Sequence, residues 1–431
     1  MGTTGRCLAA GLAAVLAVGP LAGCDLDGAT AAKAHGAPGV VPSYDPGPKD
    51  VALLRALMAA RADAVRSGDE SAFLATVDPS QTELVHGQRV LFRNLAQLDL
   101  ASFDYRIDDT SYTVPAAVPG GDPVTHPVVM EDVRLEGTLL HPVSNQLDLT
   151  FVRRDGTWLL GAELEPGEEG AFGAPQERPW FGGPIAARHS GRLTVVVDAS
   201  RSGQLADLES AVRDGIDRDA TILGVQPDDR VLVDATSNGQ AVGFSTLSDE
   251  EAGAVTFGLG QLDLAGDATA YAGAAIKVNP HQVGAAIADT GLLWHELAHY
   301  LLQRVDVASP TWLAEGVAAW VQYYPDDFSR LVLPEDLYQR LMAMDHELPT
   351  VGLFKTDPEA NYLIAQAAVT WLDLNGGPVG ILRLMRAYRH DYQGANTDAL
   401  TPKLLRRVYH VSMRQFLDET WELLGEFGHR G

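Results

Sequence analysis

Cysteine is almost missing from this chain. Of 431 residues only Cys7 and Cys24 are cysteine, and both stand near the N-terminus. The rest of the chain can form neither a disulfide nor a thiolate metal site, so any metal there must be held by nitrogen and oxygen ligands. Lysine is scarce too, with five among the 32 basic residues, against 57 acidic ones. The resulting net charge of -25 repels phosphate backbones and anionic headgroups and argues against a nucleic-acid partner. Internal repeats are also absent.

What is present is ordinary in bulk. A hydrophobic share of 46% and a charged share of 21% suit a globular protein, and the length suits two or three domains rather than one core. After MGTTGR the chain runs apolar from Cys7 to Gly23, rich in Ala and Gly and broken by Pro20. That run is marginal for a membrane span and suited to a secretory signal. Its end, Leu21-Ala22-Gly23-Cys24, resembles the lipobox of bacterial lipoproteins. The resemblance implies that residues 1–24 are a lipoprotein signal peptide and that Cys24 becomes the lipidated first residue of the mature chain. The protein would then sit at the extracytoplasmic face of the cell membrane, anchored without spanning it. The alternative is a plain secretory signal with an incidental cysteine. Residues 25–50, rich in Gly, Ala and Pro, read as a flexible tether.

From Val51 the pattern predicts helices, the first ending at Gly68, and then antiparallel strands, with a hairpin turn at Arg154-Asp155-Gly156. The fold class expected is α+β. The order of elements over 51–165 resembles the ketosteroid isomerase-like cone, also called the nuclear transport factor two fold. His86, His126 and His141 fall here beside loops and prolines, where solvated histidines are commoner than catalytic ones. Residues 166–188 read as a second linker that Trp180 and Phe181 pin onto a neighbour. Beyond it, strands are expected at GRLTVVVDAS, RVLVDATS and AAIKVNP, with an amphipathic helix at QLADLESAVRDGI. A helix begins near Val283, and the chain is mostly helical from Ser309.

Within the helix that follows Val283, GLLWHELAHYLL is apolar on nearly every side, yet holds His295, Glu296 and His299. These three form H-E-x-x-H. Four residues turn a helix by about 400°, so the two imidazoles share a face and can reach one zinc ion. Glu296, rotated about 100° from His295, can reach a water on the open side of the metal. A buried carboxylate without a partner costs several kcal/mol, and a cation removes that cost. The third ligand expected is Glu315 in SPTWLAEGVAAW, where Ser309 caps a new helix and Pro310 takes its first position. Trp312, Glu315, Gly316 and Ala319 share one face, and the small Gly316 and Ala319 would let this helix approach the motif helix closely.

HELAHYLL followed by WLAEGVA resembles the gluzincins, zinc peptidases with two histidines and a glutamate. The pattern is most similar to the lipid-anchored bacterial peptidase MA-like domains of the aminopeptidase-like superfamily. The resemblance spans roughly residues 190 to 425 of the segment 189–425, with its specific motifs between 291 and 320. It implies a zincin-type domain, a small mixed sheet plus a helical bundle. It implies one Zn2+ per chain on His295, His299 and Glu315, Glu296 as general base, and a peptide or protein substrate. A metzincin would need glycine at 302 and histidine at 305, where Leu302 and Val305 stand. A thermolysin-type site would need an aspartate where Ala319 stands. The G-x-M-E-N strand of the aminopeptidases has its counterpart in AIKVNP, which lacks an acidic residue, so an endopeptidase is expected. That strand could pair with an extended substrate by its edge. Tyr362, placed like the tyrosine of aminopeptidase-type gluzincins, is either the oxyanion donor or a packing residue. His346-Glu347 is a decoy, because Thr350 stands where a second histidine is needed. The rival function is a non-catalytic envelope lipoprotein with a structural metal site and a ligand- or partner-binding N-terminal domain.

Overall fold

The structure, a computed structural model, describes residues 46–112, 124–164, 178–228, 230–238, 253–306, 308–325, 333–392 and 397–427. Cys24, the signal segment and most of the expected tether lie outside the described residues. The class is α+β.

The N-terminal unit sets three helices, α1 (Pro48–Ser67), α2 (Glu70–Leu74) and α3 (Thr82–Leu95), against an antiparallel sheet. Its strands are β1 (Leu100–Tyr112), β2 (Val124–Thr125), β3 (Pro127–Leu135), β4 (Val143–Arg154) and β5 (Thr157–Leu164). They pair in the order β1-β3-β4, and both β2 and β5 bond to β4. α1 starts inside the segment read as tether, because Pro48 suits a first helical position and Gly47 precedes it. Gly68 ends α1 in the left-handed conformation, and Asp155 and Gly156 turn the β4–β5 hairpin with positive φ. Leu54 and Met58 of α1 pack with Val129, Leu147, Phe151 and Trp158 of the sheet.

The segment read as a second linker is structural where described. Arg178 donates to both carboxylate oxygens of Glu131 on β3 at 3.0 and 3.1 Å, and to Glu163 on β5 at 3.2 Å. Trp180 is buried and donates to Glu131 at 3.0 Å, while Arg178 lies over the Phe181 ring at 4.2 Å. Each of these buried charges has a partner, without which it would cost several kcal/mol. From Ile185 the same segment is strand β6 (Ile185–Ser190), which reverses through Gly191 into β7 (Leu193–Asp198).

The second sheet has the order β6-β7-β8-β10-β9, with β8 at Val231–Ala235, β9 at Ala254–Leu262 and β10 at Ala268–Val278. β7, β8 and β10 run parallel, and the outer strands are antiparallel. Val195, Val197, Val233 and Ile276 face a core shared with α4 (Leu205–Leu223), while Val196, Leu232 and Ala275 face the N-terminal unit. Both faces are covered, which is why TVVVD and VLVDA read as unbroken apolar runs. AIKVNP therefore belongs to an interior strand. The edge strands of this sheet are β6 and β9, so the edge pairing expected of AIKVNP is not open to it.

The helical part comprises α5 (Val283–Ala288), α6 (Gly291–Leu302), α7 (Thr311–Tyr323), α8 (Glu335–Met342), α9 (Val351–Thr356), α10 (Pro358–Asp391), α11 (Thr401–Val408) and α12 (Met413–Phe427). α10 joins two expected helices across a kink, where Gly377 has φ 62° and Pro378 follows.

His86 and His141 are exposed, as read, but His126 is buried beside β2, with Nδ1 2.9 Å from Thr150 Oγ1. Burial pulls its imidazole down to about 4, below the unfolded value of about 6.5. A depressed histidine contributes stability that is full above pH ~6.5 and is lost as pH falls towards 4. Denaturant unfolding should therefore show wild type losing more stability than His126→Gln between pH 7 and 4. Parallel pH profiles would place the imidazole in solvent.

Candidate metal centre

The motif helix does not start at Val283. α5 ends at Ala288, Asp289 turns extended (φ -124°, ψ 95°), and α6 begins at Gly291. The Asp289 side chain accepts from Gly291 N at 3.3 Å. α6 then runs between two cores, which explains its apolar circumference. Leu293, Leu297 and Tyr300 belong to the core under the second sheet, and Ala298 and Leu302 to the core of the helical bundle. Thr256 of the edge strand β9 ties the helix to the sheet, donating its hydroxyl to the Glu296 carbonyl at 2.9 Å.

α7 begins at Thr311, one residue later than expected. Pro310 is its extended N-cap residue and Ser309 makes no capping bond. Proline's fixed φ serves equally before the first helical residue, and the Pro310 carbonyl accepts from Leu313 N and Ala314 N. Trp312, Glu315, Gly316 and Ala319 are all buried. The small residue at 316 has another use than the one expected. A Cβ on Gly316 would lie 2.4 Å from the Ala365 carbonyl and 2.7 Å from Val369 Cγ2, both on α10. Gly316 thus admits α10, the helix that carries Tyr362, rather than α6.

These elements bring His295, His299 and Glu315 together as a group able to hold a metal ion. The two Nε2 atoms are 3.3 Å apart, and each is 3.5 Å from Glu315 Oε2. A tetrahedral ion with bonds of about 2.0–2.1 Å needs its ligand atoms about 3.3–3.4 Å apart. The triangle therefore fits such an ion. So does the surrounding chemistry: Glu315 and Glu296 have no hydrogen-bond partner on either carboxylate oxygen, though both residues are buried. His295 Nδ1 is likewise without a partner. Among the described residues no fourth His, Cys, Asp or Glu joins the group.

Electrostatics describe the same crowding. Burial pushes the Glu296 carboxyl up, and the two imidazoles only partly offset it. Burial also works against charge on Glu315, but His299 and His295 outweigh it and hold this carboxyl below its usual value. His299 is pulled down by burial and lifted more strongly by Glu315, Glu296 and Asp306, ending at about 9. Asp306, just past α6, is raised to about 6, first by burial. A polar knot this tight, lined by carboxylates without donors, is what a cation relieves.

Tyr362 is brought to the site, its ring 6.1 Å from that of His295 and 5.0 Å from Phe354 of α9. His346 is not: it stacks on Trp421 at 4.7 Å. Thr256 and Asp306 escaped the sequence reading, because a lone threonine or aspartate outside a motif carries no signal until the fold places it.

Comparison of the chain with protein-family models, with curated proteins and with solved structures gives no match. The gluzincin resemblance therefore rests on the motif residues and their placement.

Gly316→Ala should strain the α7–α10 contact and cost about 1–3 kcal/mol of stability. A lower denaturant midpoint is the expected reading. An unchanged midpoint would mean that the helices part without penalty.

Proposed function

We propose that this protein is a zinc-dependent peptidase of gluzincin type that hydrolyses peptide bonds, with an endopeptidase favoured. One observation carries the reading: the near-equilateral triangle of His295, His299 and Glu315, with edges of 3.3, 3.5 and 3.5 Å, stands beside the buried, unpartnered carboxylate of Glu296. Nitrogen and oxygen donors in that ratio suit zinc, and three ligands rather than four among the described residues suit a catalytic site rather than a structural one. That count favours the peptidase over the rival envelope lipoprotein with a closed, structural metal site.

Zinc, when bound, supplies Lewis-acid activation of a water and of the scissile carbonyl. Glu296 would take a proton from the attacking water at a carboxylate oxygen and later deliver it to the leaving amine nitrogen. The Tyr362 hydroxyl donates to the oxygen on which negative charge develops. β9, an edge strand next to α6, would offer to an extended substrate the part of its outer edge before Leu262, whose N–H already donates to Ser144 Oγ at 3.0 Å. Cys24, in the lipobox-like sequence, holds the enzyme at the extracytoplasmic membrane face. Among the described residues no helix is long and apolar enough to cross a membrane.

Metal content and peptide-library cleavage test the reading together. Glu296→Ala should keep its zinc and lose hydrolysis by roughly a hundredfold or more. Glu315→Ala should lose most of the zinc. Full turnover in the first variant removes Glu296 as the base, and full zinc in the second assigns the third ligand elsewhere. In a bacterial host, Cys24→Ala should move the protein from the membrane fraction to the soluble one. Unchanged fractionation would rule out lipid attachment at that residue.

A further inference from the structure

We propose that Arg218 is a positioning residue for the metal ligands, a single side chain that fixes the helix of His295 and His299 against the helix of Glu315. The inference rests on reading those three residues as ligands. Arg218 lies on α4, far in sequence from both motifs. Its guanidinium carbon sits 3.8 Å from the ring centre of Trp294, the residue before His295. Its Nη2 donates to the carbonyls of Val321 at 2.9 Å and Tyr324 at 2.5 Å, at the C-terminal end of α7. Its Nη1 donates to Asp219 Oδ1 at 2.6 Å. One planar cation thus stacks on α6, caps α7 and is braced by its own neighbour.

Gly215, one turn earlier on the same face of α4, makes the approach possible. A Cβ there would lie 2.5 Å from Leu297 Cδ1 and 3.1 Å from Trp294 Cδ1. With that space left open, α4 lies against α6 on both sides of the zinc-motif residue His295. The chemistry needs arginine. A guanidinium lays its flat face on the indole while its edge donates in plane to two carbonyls and a carboxylate, whereas an ammonium, tetrahedral and on a shorter reach, has no flat face and cannot reproduce all four contacts at once. A cation at a helix C-terminus is also favoured by the helix dipole. The donor triangle tolerates little error, so a small rotation of α6 relative to α7 would spoil it.

The test uses the full chain stripped of metal, titrated with Zn2+ against a competing chelator, with the visible spectrum of the Co2+ form as a second readout. Arg218→Met should weaken Zn2+ affinity about 10- to 100-fold and alter the Co2+ spectrum. Arg218→Lys should not restore either. Trp294→Leu, which leaves the α7 contacts in place, should show a similar loss, and the double variant should be no weaker than the worse single one. The Trp294→Leu arm decides the matter should Arg218→Met fail to fold. Unchanged Zn2+ affinity and Co2+ spectrum, with only a lowered melting temperature, overturn the proposal, as does strict additivity. A wild type that binds no Zn2+ overturns the metal reading and this inference with it.

Discussion

Two imidazoles and one carboxylate oxygen meet within 3.5 Å of one another inside a densely packed helical layer. Within the described residues a protonated His299 offsets the Glu315 carboxylate, and Glu296 is left without a donor. Glu315 and Glu296 are buried and lack hydrogen-bond donors, while His299 is driven towards protonation by the acids around it. Burying a carboxylate without a donor costs several kcal/mol, and Glu296 is such a carboxylate, set beside the charge of Glu315. A divalent cation held between these donors would offset that cost. The helices around the site are arranged to keep the donors at that spacing.

The fold supplies that spacing in layers. The N-terminal unit covers one face of the mixed sheet, and α4 and α6 cover the other. The edge strand β9 holds α6 through Thr256, which leaves the motif residues beside an open sheet edge. α7 is held from two sides, by α10 through Gly316 and by Arg218 at its C-terminal carbonyls. The N-terminal unit is therefore part of the scaffold. Arg178 and Trp180 fasten the connection between units to Glu131 in the interior of the first sheet.

Much of the centre was legible in the sequence because its information is local. H-E-x-x-H on an apolar helix needs only helical periodicity to bring two imidazoles to one face, and a glutamate on the next capped helix is the natural third donor. The runs TVVVD and VLVDA announced themselves by continuous apolar character, and Asp155-Gly156 by turn chemistry. Features set by tertiary partners were not legible. Ile185–Ser190 is a strand only because β7 returns beside it, and Gly and Pro around it disguise the fact. Ala254–Leu262 contains two glycines and gains its strand identity from β10. The break at Asp289 is invisible to periodicity, since α5 and α6 share an apolar pattern across it. His126 reads as solvated beside Pro127 until Thr150 and the sheet enclose it. Gly316 was read as small for the right physical reason, close backbone approach, but assigned to the wrong neighbour.

X-ray absorption at the zinc edge of the purified, zinc-loaded protein tests the centre most directly. The expected spectrum has about four nitrogen and oxygen neighbours at about 2.0–2.1 Å, with the outer-shell scattering of two imidazoles. A shell of oxygen alone, without imidazole scattering, would contradict a metal held by His295, His299 and Glu315.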